Sequence, residues 1–316
     1  MTVIVAIVGL GLMGTSLGLA LKAASSEITI IGHDPETAHI ARAKKLGAID
    51  KSHWNLISAC EQANCVFLDL GLEAIESTLR ALKNNLKGRT VIIDLAPVKR
   101  PVMVWAEDML SETVQFVGGH IVRSRQSLGQ TEPSAELLRG ATFYLVAPEG
   151  IAPWAIEMAS NLALAVGAKP LYIDAAEHDG IVAATLGLPL LGALALVETI
   201  KTRAGWQERA QSFGEEFAAY ANLLLNAPEA ATDLLLANAD NLLYWLDAYA
   251  KKVTELCQAI SAQNQQTLRD MFAEAQKTCI EWLATGDKPR SELPAEDMKA
   301  SFQAMFLGSF GRKRPR

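Results

Sequence analysis

The sequence predicts an α/β fold, a doubly wound parallel sheet that gives way to an all-α second domain. Three observations predict it. The apolar run Val3–Val8 stands directly before the turn Gly9-Leu10-Gly11-Leu12-Met13-Gly14. Strand-like and helix-like segments then alternate as far as Ile173. From about Ala175 the strand signals vanish and Ala, Leu, Glu and Gln dominate with helical periodicity. Alternation of the first kind builds a mostly parallel sheet with helices on both faces.

The glycine turn carries the most chemistry. It follows a strand, opens a Leu- and Ala-rich helix, and precedes Asp34 by about 20 residues, the layout of a Rossmann-type dinucleotide site. The first glycine allows the sharp turn, the second lets backbone approach a pyrophosphate, and the third lets helix and strand pack closely. N–H groups at the helix start face the phosphates. Asp34 suits a ribose 2′-hydroxyl and would repel a 2′-phosphate, so NAD is expected and NADP disfavoured. The expected cofactor residues are Gly9, Leu10, Gly11, Leu12, Met13, Gly14 and Asp34, with Leu70 and Gly71 at a later strand end.

The elements follow in order. Ile28–Gly32 is the second strand, and Pro35–Lys45 a helix with Pro at its start and Lys44 and Lys45 at its end. Cys65–Leu70 is apolar apart from Asp69, as suits a strand buried on both faces. A helix is expected over Leu72–Leu86, a strand over Val91–Ile93, and a helix over Val98–Leu110 that kinks or restarts at Pro101. Val114–Val117 is a strand leading into the turn Gly118-Gly119-His120. Thr142–Ala147 and Lys169–Ile173 are later strands around a helix over Pro153–Val166. Helices then run to about Ala284, broken at Asn226-Ala227-Pro228 and at Gly286–Pro289. The domain boundary is expected between 174 and 175, giving a dinucleotide domain 1–174 and a helical substrate and dimerisation domain 175–316.

Composition narrows the partners. The chain has 316 residues, half of them hydrophobic, and a net charge of −6. An acidic chain of this kind is not expected to bind nucleic acid, and the basic residues Arg312, Lys313, Arg314 and Arg316 are read as a solvated tail. Cys60, Cys65, Cys257 and Cys279 have neither disulfide-framework nor zinc spacing, and no metal site is expected. With no basic leader before the first strand, a cytoplasmic location is expected. Ile181–Val197 carries no charge and approaches membrane-spanning length. Gly187, Pro189 and Gly192 interrupt it, and it is read as a core or subunit-interface helix rather than a span. Long helices of this kind finish their core against a second copy, so a homodimer is expected.

His120 is the best catalytic candidate. It follows two glycines at a strand end, on the rim where a cofactor lies, and imidazole is matched to proton transfer near neutral pH. Lys99 and Arg100 are read as a solvated helix start with a carboxylate-binding role as the alternative, Asp69 as a cap on the turn after it with a ribose bond as the alternative, and His33 and His39 as exposed.

Gly9–Gly14 with Asp34, Gly118-Gly119-His120, Glu177-His178-Asp179 and the helical second half together resemble the prephenate/arogenate dehydrogenase family of tyrosine biosynthesis. The resemblance spans nearly the whole chain. It implies oxidative decarboxylation of a cyclohexadienyl carboxylate, with His120 taking the hydroxyl proton. His178 and Asp179 match the family and are read as helix-start hydrogen bonds. The chain departs from the family pattern at Ile121-Val122-Arg123-Ser124, where Pro-Met-Ala-Gly is usual. It departs at Pro97-Val98-Lys99, where Ser-Val-Lys is usual, and at Leu186–Leu190, where Ser-His-Leu-Pro-His is usual. The carboxylate-binding arginine falls at about Asn222. A buried dicarboxylate still needs cations, and Arg123 and Arg125 are the candidates. Two other readings stay open: a dinucleotide-binding paralogue without catalysis, and a β-hydroxyacid dehydrogenase using Lys201.

Overall fold

The computed structural model describes residues 3–285 except 87–88, 112, 128, 203–204 and 226. The basic residues at 312–316 and the break at 286–289 lie outside the described residues. Two units result, dividing between Asp179 and Gly180.

The first unit holds strands β1 (Val3–Val8), β2 (Ile28–His33), β3 (Lys51–Ser52), β4 (Cys65–Leu68), β5 (Thr90–Asp94), β6 (Val114–Val122), β7 (Thr142–Val146) and β8 (Lys169–Tyr172). They form one sheet in the order β3-β2-β1-β4-β5-β6-β7-β8. Neighbours are parallel throughout, except β6 with β7. The order through β6 is that of a doubly wound dinucleotide-binding sheet. Connecting helices are α1 (Leu12–Ala24), α2 (Thr37–Leu46), α3 (Leu56–Cys60), α4 (Leu72–Leu82), α5 (Arg100–Met109) and α6 (Pro153–Ala165). Val5, Ile7, Cys65, Phe67, Val91 and Ile93 have no exposure, the consequence of helices on both faces. All four cysteines are unpaired, and burial pushes the Cys60 thiol up to about 12.

Three differences from the sequence expectation have physical causes. β3 and α3 were not foreseen, because a two-residue strand has no periodicity to read. Pro101 sits in the first turn of α5, where its missing N–H costs nothing, so it starts the helix rather than kinking it. The third difference bears on the site. Gly118, Gly119 and His120 lie inside β6 rather than in a turn after it, because β7 pairs antiparallel from Gly118↔Val146 to Val122↔Thr142. Glycine is required at 119: an added Cβ would lie 2.5 Å from the Asp94 carbonyl oxygen and 2.9 Å from Phe143.

The second unit is helical. α7 (Ala175–Val182) crosses the division and continues through one π-helical turn, Ala183–Gly187, into α8 (Leu188–Lys201). Pro189 has no N–H to give to the preceding turn, which accounts for the break in α-helical bonding. Then come α9 (Trp206–Ala210), α10 (Glu215–Ala221), α11 (Pro228–Ala237), α12 (Ala239–Ser261) and α13 (Gln265–Thr285). The stretch Ala175–Lys201 is long and apolar enough to cross a membrane by length and composition, and only 28% of its most apolar window is buried within the chain. Leu186, Leu194, Tyr244, Trp245, Tyr249 and Phe272 are likewise exposed. An apolar surface of this extent marks a contact face.

Gly119→Ala is expected to destabilise the protein by about 1–3 kcal/mol, as overpacking against backbone does. Urea unfolding checks it; an unchanged midpoint would mean β6 has room that the contacts deny.

Candidate active site

The glycine loop is built by contact. A Cβ on Gly9 would collide with the Asp69 carbonyl, and one on Gly14 with the Gly9 carbonyl. Gly9 also takes φ +94, where only glycine is at ease. Gly11 precedes α1 and offers no side-chain cap, and the first N–H groups of a helix, here at Leu12 and Met13, have no carbonyl partner one turn back. Asp34 ends the β2 segment, 7% exposed. Its carboxylate accepts from Leu10 N at 2.7 Å and Glu36 N at 2.8 Å, with His39 Nδ1 at 3.2 Å. It therefore ties the glycine loop to the second strand end. Leu70 is partly buried beyond β4, and Gly71 is the exposed residue that starts α4, with open space where a Cβ would stand. Bare glycines, free helix-start donors and an acid at the second strand end suit a dinucleotide.

Asp69 does not cap the turn after it. It reaches back to the glycine loop, where Oδ2 accepts from Gly14 N at 2.7 Å. Burial, with the nearby Asp34 charge adding to it against the Gly14 hydrogen bond, pushes its pKa up to about 6. A titratable carboxylate thus stands under the expected phosphate cradle.

His120 is partly buried on β6 and belongs to a chain of bonds. Its Nδ1 lies 3.0 Å from His178 Nε2, and His178 Nδ1 lies 2.9 Å from Asp179 Oδ1. His178 and Asp179 are wholly buried. Tyr144, the cross-strand partner of His120, packs its ring edge-on to His178 at 5.3 Å and stacks on His120 at 6.3 Å. Burial, then the neighbouring His178 and Lys99, hold the His120 pKa well below the usual imidazole range. His120 is neutral at pH 7, as a proton acceptor must be.

Asp179 does make helix-start bonds, but to α5 rather than to its own helix. Oδ1 accepts from Lys99 N at 2.7 Å, and Oδ2 from Arg100 N at 2.9 Å and Arg100 Nε at 3.3 Å. Burial raises its pKa, yet hydrogen bonds from His178, Arg100 and Lys99 outweigh that, and the net shift is downward.

Lys99 is not a solvated helix start. Its side chain is fully buried and paired with the equally buried Asp94. Nζ donates to Asp94 Oδ2 and, at 2.6 Å, to Gly119 O, while Asp94 Oδ1 accepts from Gly119 N at 3.2 Å. Burial pulls the Lys99 pKa down, and the Asp94 charge resists. The pair clamps both backbone polar groups of the residue before His120.

The structure brings His120 together with His178, Asp179 and Tyr144, and the glycine loop together with Asp34 and Asp69. Arg123 is exposed, its Nη1 donating to Gln130 O at 3.0 Å, and Arg125 is partly buried at the head of a 3-10 turn. His39 is exposed and His33 partly buried, with Nδ1 3.0 Å from His53 O. Lys201 is exposed and pairs with Glu198. Sequence reasoning assigned His178 and Asp179 a local role because adjacent residues suggest local bonds. Tyr144 gave no signal, since only the β6–β7 register sets it beside His120. Among the described residues no cluster of His, Cys, Asp and Glu is arranged to hold a metal.

Fold and site together define a nucleotide-binding protein of the Rossmann class with a hydrogen-bonded His120–His178–Asp179 chain on its sheet. Residues 17–172 match the prephenate dehydrogenase nucleotide-binding domain, and 174–274 match the prephenate dehydrogenase dimerization domain. The chain belongs to the prephenate dehydrogenase family. It is 25% identical over 269 residues to prephenate dehydrogenase of Bacillus subtilis, covering 84% of this chain and 72% of that one. It is 26% identical over 278 residues to cyclohexadienyl dehydrogenase of Zymomonas mobilis, covering 86% and 94%. In fold it resembles prephenate dehydrogenase from A. aeolicus, solved with hydroxyphenyl propionate and NAD+, at a TM-score of 0.79, 21% identity, and coverage of 89% and 98%.

An ionised Asp69 opposes an anionic diphosphate, and a protonated one does not. NAD affinity is expected to rise as pH falls through about 6. The gain is about 1 kcal/mol, roughly fivefold in Kd, for one screened charge. Asp69→Asn should flatten the profile and bind tightly throughout. Fluorescence titration of NADH between pH 5.5 and 8 measures it, and identical profiles for both proteins would remove Asp69 from the cradle.

Proposed function

We propose that this protein is an NAD-dependent dehydrogenase that oxidatively decarboxylates prephenate or arogenate in tyrosine biosynthesis. One observation carries the reading: a chain that matches the family from 17 to 274 keeps a neutral, hydrogen-bonded histidine on the strand next to β5. The cofactor would be held by Gly9 to Gly14, with the α1 N-terminus at its diphosphate, Asp34 at its adenosine ribose, and Leu70 and Gly71 along the rim. When bound, NAD supplies the acceptor for the hydride that leaves the carbon bearing the hydroxyl. His120 takes the hydroxyl proton through Nε2, the nitrogen not engaged by His178. Loss of carbon dioxide leaves an aromatic ring and makes the reaction effectively irreversible. Arg123 and Arg125 are the proposed cations for the substrate carboxylates. Their planar forks suit that partner.

The domain assignment follows: 1–174 for the cofactor, 175–316 for substrate and dimerisation. The family description of the second region as a dimerization domain, and its exposed apolar helices, support a homodimer. The long apolar helix is then a dimer seam in a cytoplasmic enzyme.

A second reading, a paralogue that binds dinucleotide without turnover, is favoured by Pro97, Gly187 and Leu190 in place of the family's serine and two histidines. The assay separates the two. Purified protein with NAD should produce NADH from prephenate, arogenate or both, and none from either supports the second reading. His120→Asn is expected to lower kcat by about 100-fold or more while leaving the NAD Kd within about twofold. Unchanged turnover would take His120 out of the reaction. Asp34→Ala should weaken NAD about tenfold and NADP less, as loss of a charged hydrogen bond does; equal weakening would deny Asp34 its ribose.

A further inference from the structure

The reaction needs a lone pair on one particular nitrogen of His120, and imidazole has two ways to arrange its proton. We propose that Asp179 and His178 act as positioning residues that hold the His120 proton on Nδ1 and keep Nε2 free for the substrate hydroxyl. The inference rests on the dehydrogenase reading and names the residues that make its base competent.

Asp179 Oδ1 and Oδ2 receive the backbone N–H groups of Lys99 and Arg100, neither of which can reverse direction. An ionised carboxylate only accepts, so His178 Nδ1 donates to it. A neutral imidazole that donates from Nδ1 has its lone pair on Nε2. That lone pair faces His120 Nδ1 at 3.0 Å, so His120 Nδ1 donates and Nε2 is left open. Every partner is protein, and His178 and Asp179 exclude water at zero exposure. The family's serine is Pro97 here, so no hydroxyl from that position competes. The charged and titratable groups around His120 come from four elements: Asp94 from β5, Lys99 and Arg100 from the start of α5, Tyr144 from β7, and His178 and Asp179 from α7. Two of the three Lys99 Nζ donors go to Asp94 and Gly119 O, which aims the ammonium at β5 and the Gly119 backbone.

Asp179→Asn is the sharp test. Its amide must set NH2 either against the Arg100 N–H, with its oxygen kept toward His178, or against the Lys99 N–H and His178 together. The second choice reverses the chain and puts the His120 proton on Nε2. Long-range 1H–15N correlation of 15N-histidine protein reads the tautomer directly. Five histidines are to be resolved, and the spectrum of His120→Asn assigns the one that matters. In the unmodified protein His120 should show Nδ1 protonated and Nε2 bare; Nε2 protonated would overturn the proposal without any variant. In Asp179→Asn the His120 signal should move to the opposite tautomer or to a mixture. No change in a folded Asp179→Leu variant, which leaves His178 Nδ1 no acceptor at this position, would overturn it too. With prephenate or arogenate, Asp179→Asn and His178→Leu should each lose about 100-fold in kcat with the NAD KM little changed. His178→Gln, whose amide oxygen can accept from Nδ1, should recover part of the loss. Equal loss in Gln and Leu variants would reduce His178 to packing. Absence of turnover in the unmodified protein would defeat the dehydrogenase reading alone, since the tautomer is measured without substrate.

Discussion

The ion pair between Lys99 and Asp94 is the interaction on which the site's geometry depends. Two opposite charges with no solvent exposure sit at the end of β5, and breaking such a pair costs about 3–5 kcal/mol because one charge is left buried alone. Their remaining valences reach both backbone groups of Gly119 and the N–H of Ala96. The pair thus joins β5 to β6, and through the Lys99 backbone it joins α5 to Asp179. His120 is held one residue away from this clamp. The clamp fixes the backbone before His120, while His178 and Tyr144 hold its ring.

A second constraint governs the cofactor rim. Close approach between Gly9, Gly14 and Asp69 leaves no volume for side chains, so the backbone itself faces the expected phosphates. Asp34 braces that loop from β2, and Asp69 braces it from β4. Burial, with the Asp34 charge as a smaller addition, raises the pKa of Asp69 to about 6. Stability of the loop and affinity for an anion therefore pull against each other at this residue.

The alternation of strand and helix and the position of the glycine turn were legible from local pattern. Val3–Val8, the glycines and Asp34 form a contiguous unit whose periodicity and spacing act within about 30 residues. The helical second half was equally plain from composition. The antiparallel pairing of β6 with β7 was not, because the 19 residues between Val122 and Thr142 carry no periodic signal that distinguishes a hairpin from a crossover. That pairing turned an expected Gly-Gly-His turn into strand and set Tyr144 beside His120. Lys99 misled for a related reason. A lysine before an arginine at a helix start looks solvated unless the acid five residues upstream is known to face it.

What the sequence by itself determined is the alternation of strand and helix, the helical second half and the dinucleotide motif, and it singled out His120 as a candidate. These depend on short-range alternation and on residue chemistry, which a linear chain displays. Only the tertiary structure decided who surrounds that imidazole. His178 lies 58 residues away and Asp179 reaches backbone groups 79 and 80 residues away. Hydrogen bonds over such separations exist because folding brings strand ends and helix starts to one rim, and no local pattern encodes which donors will meet there.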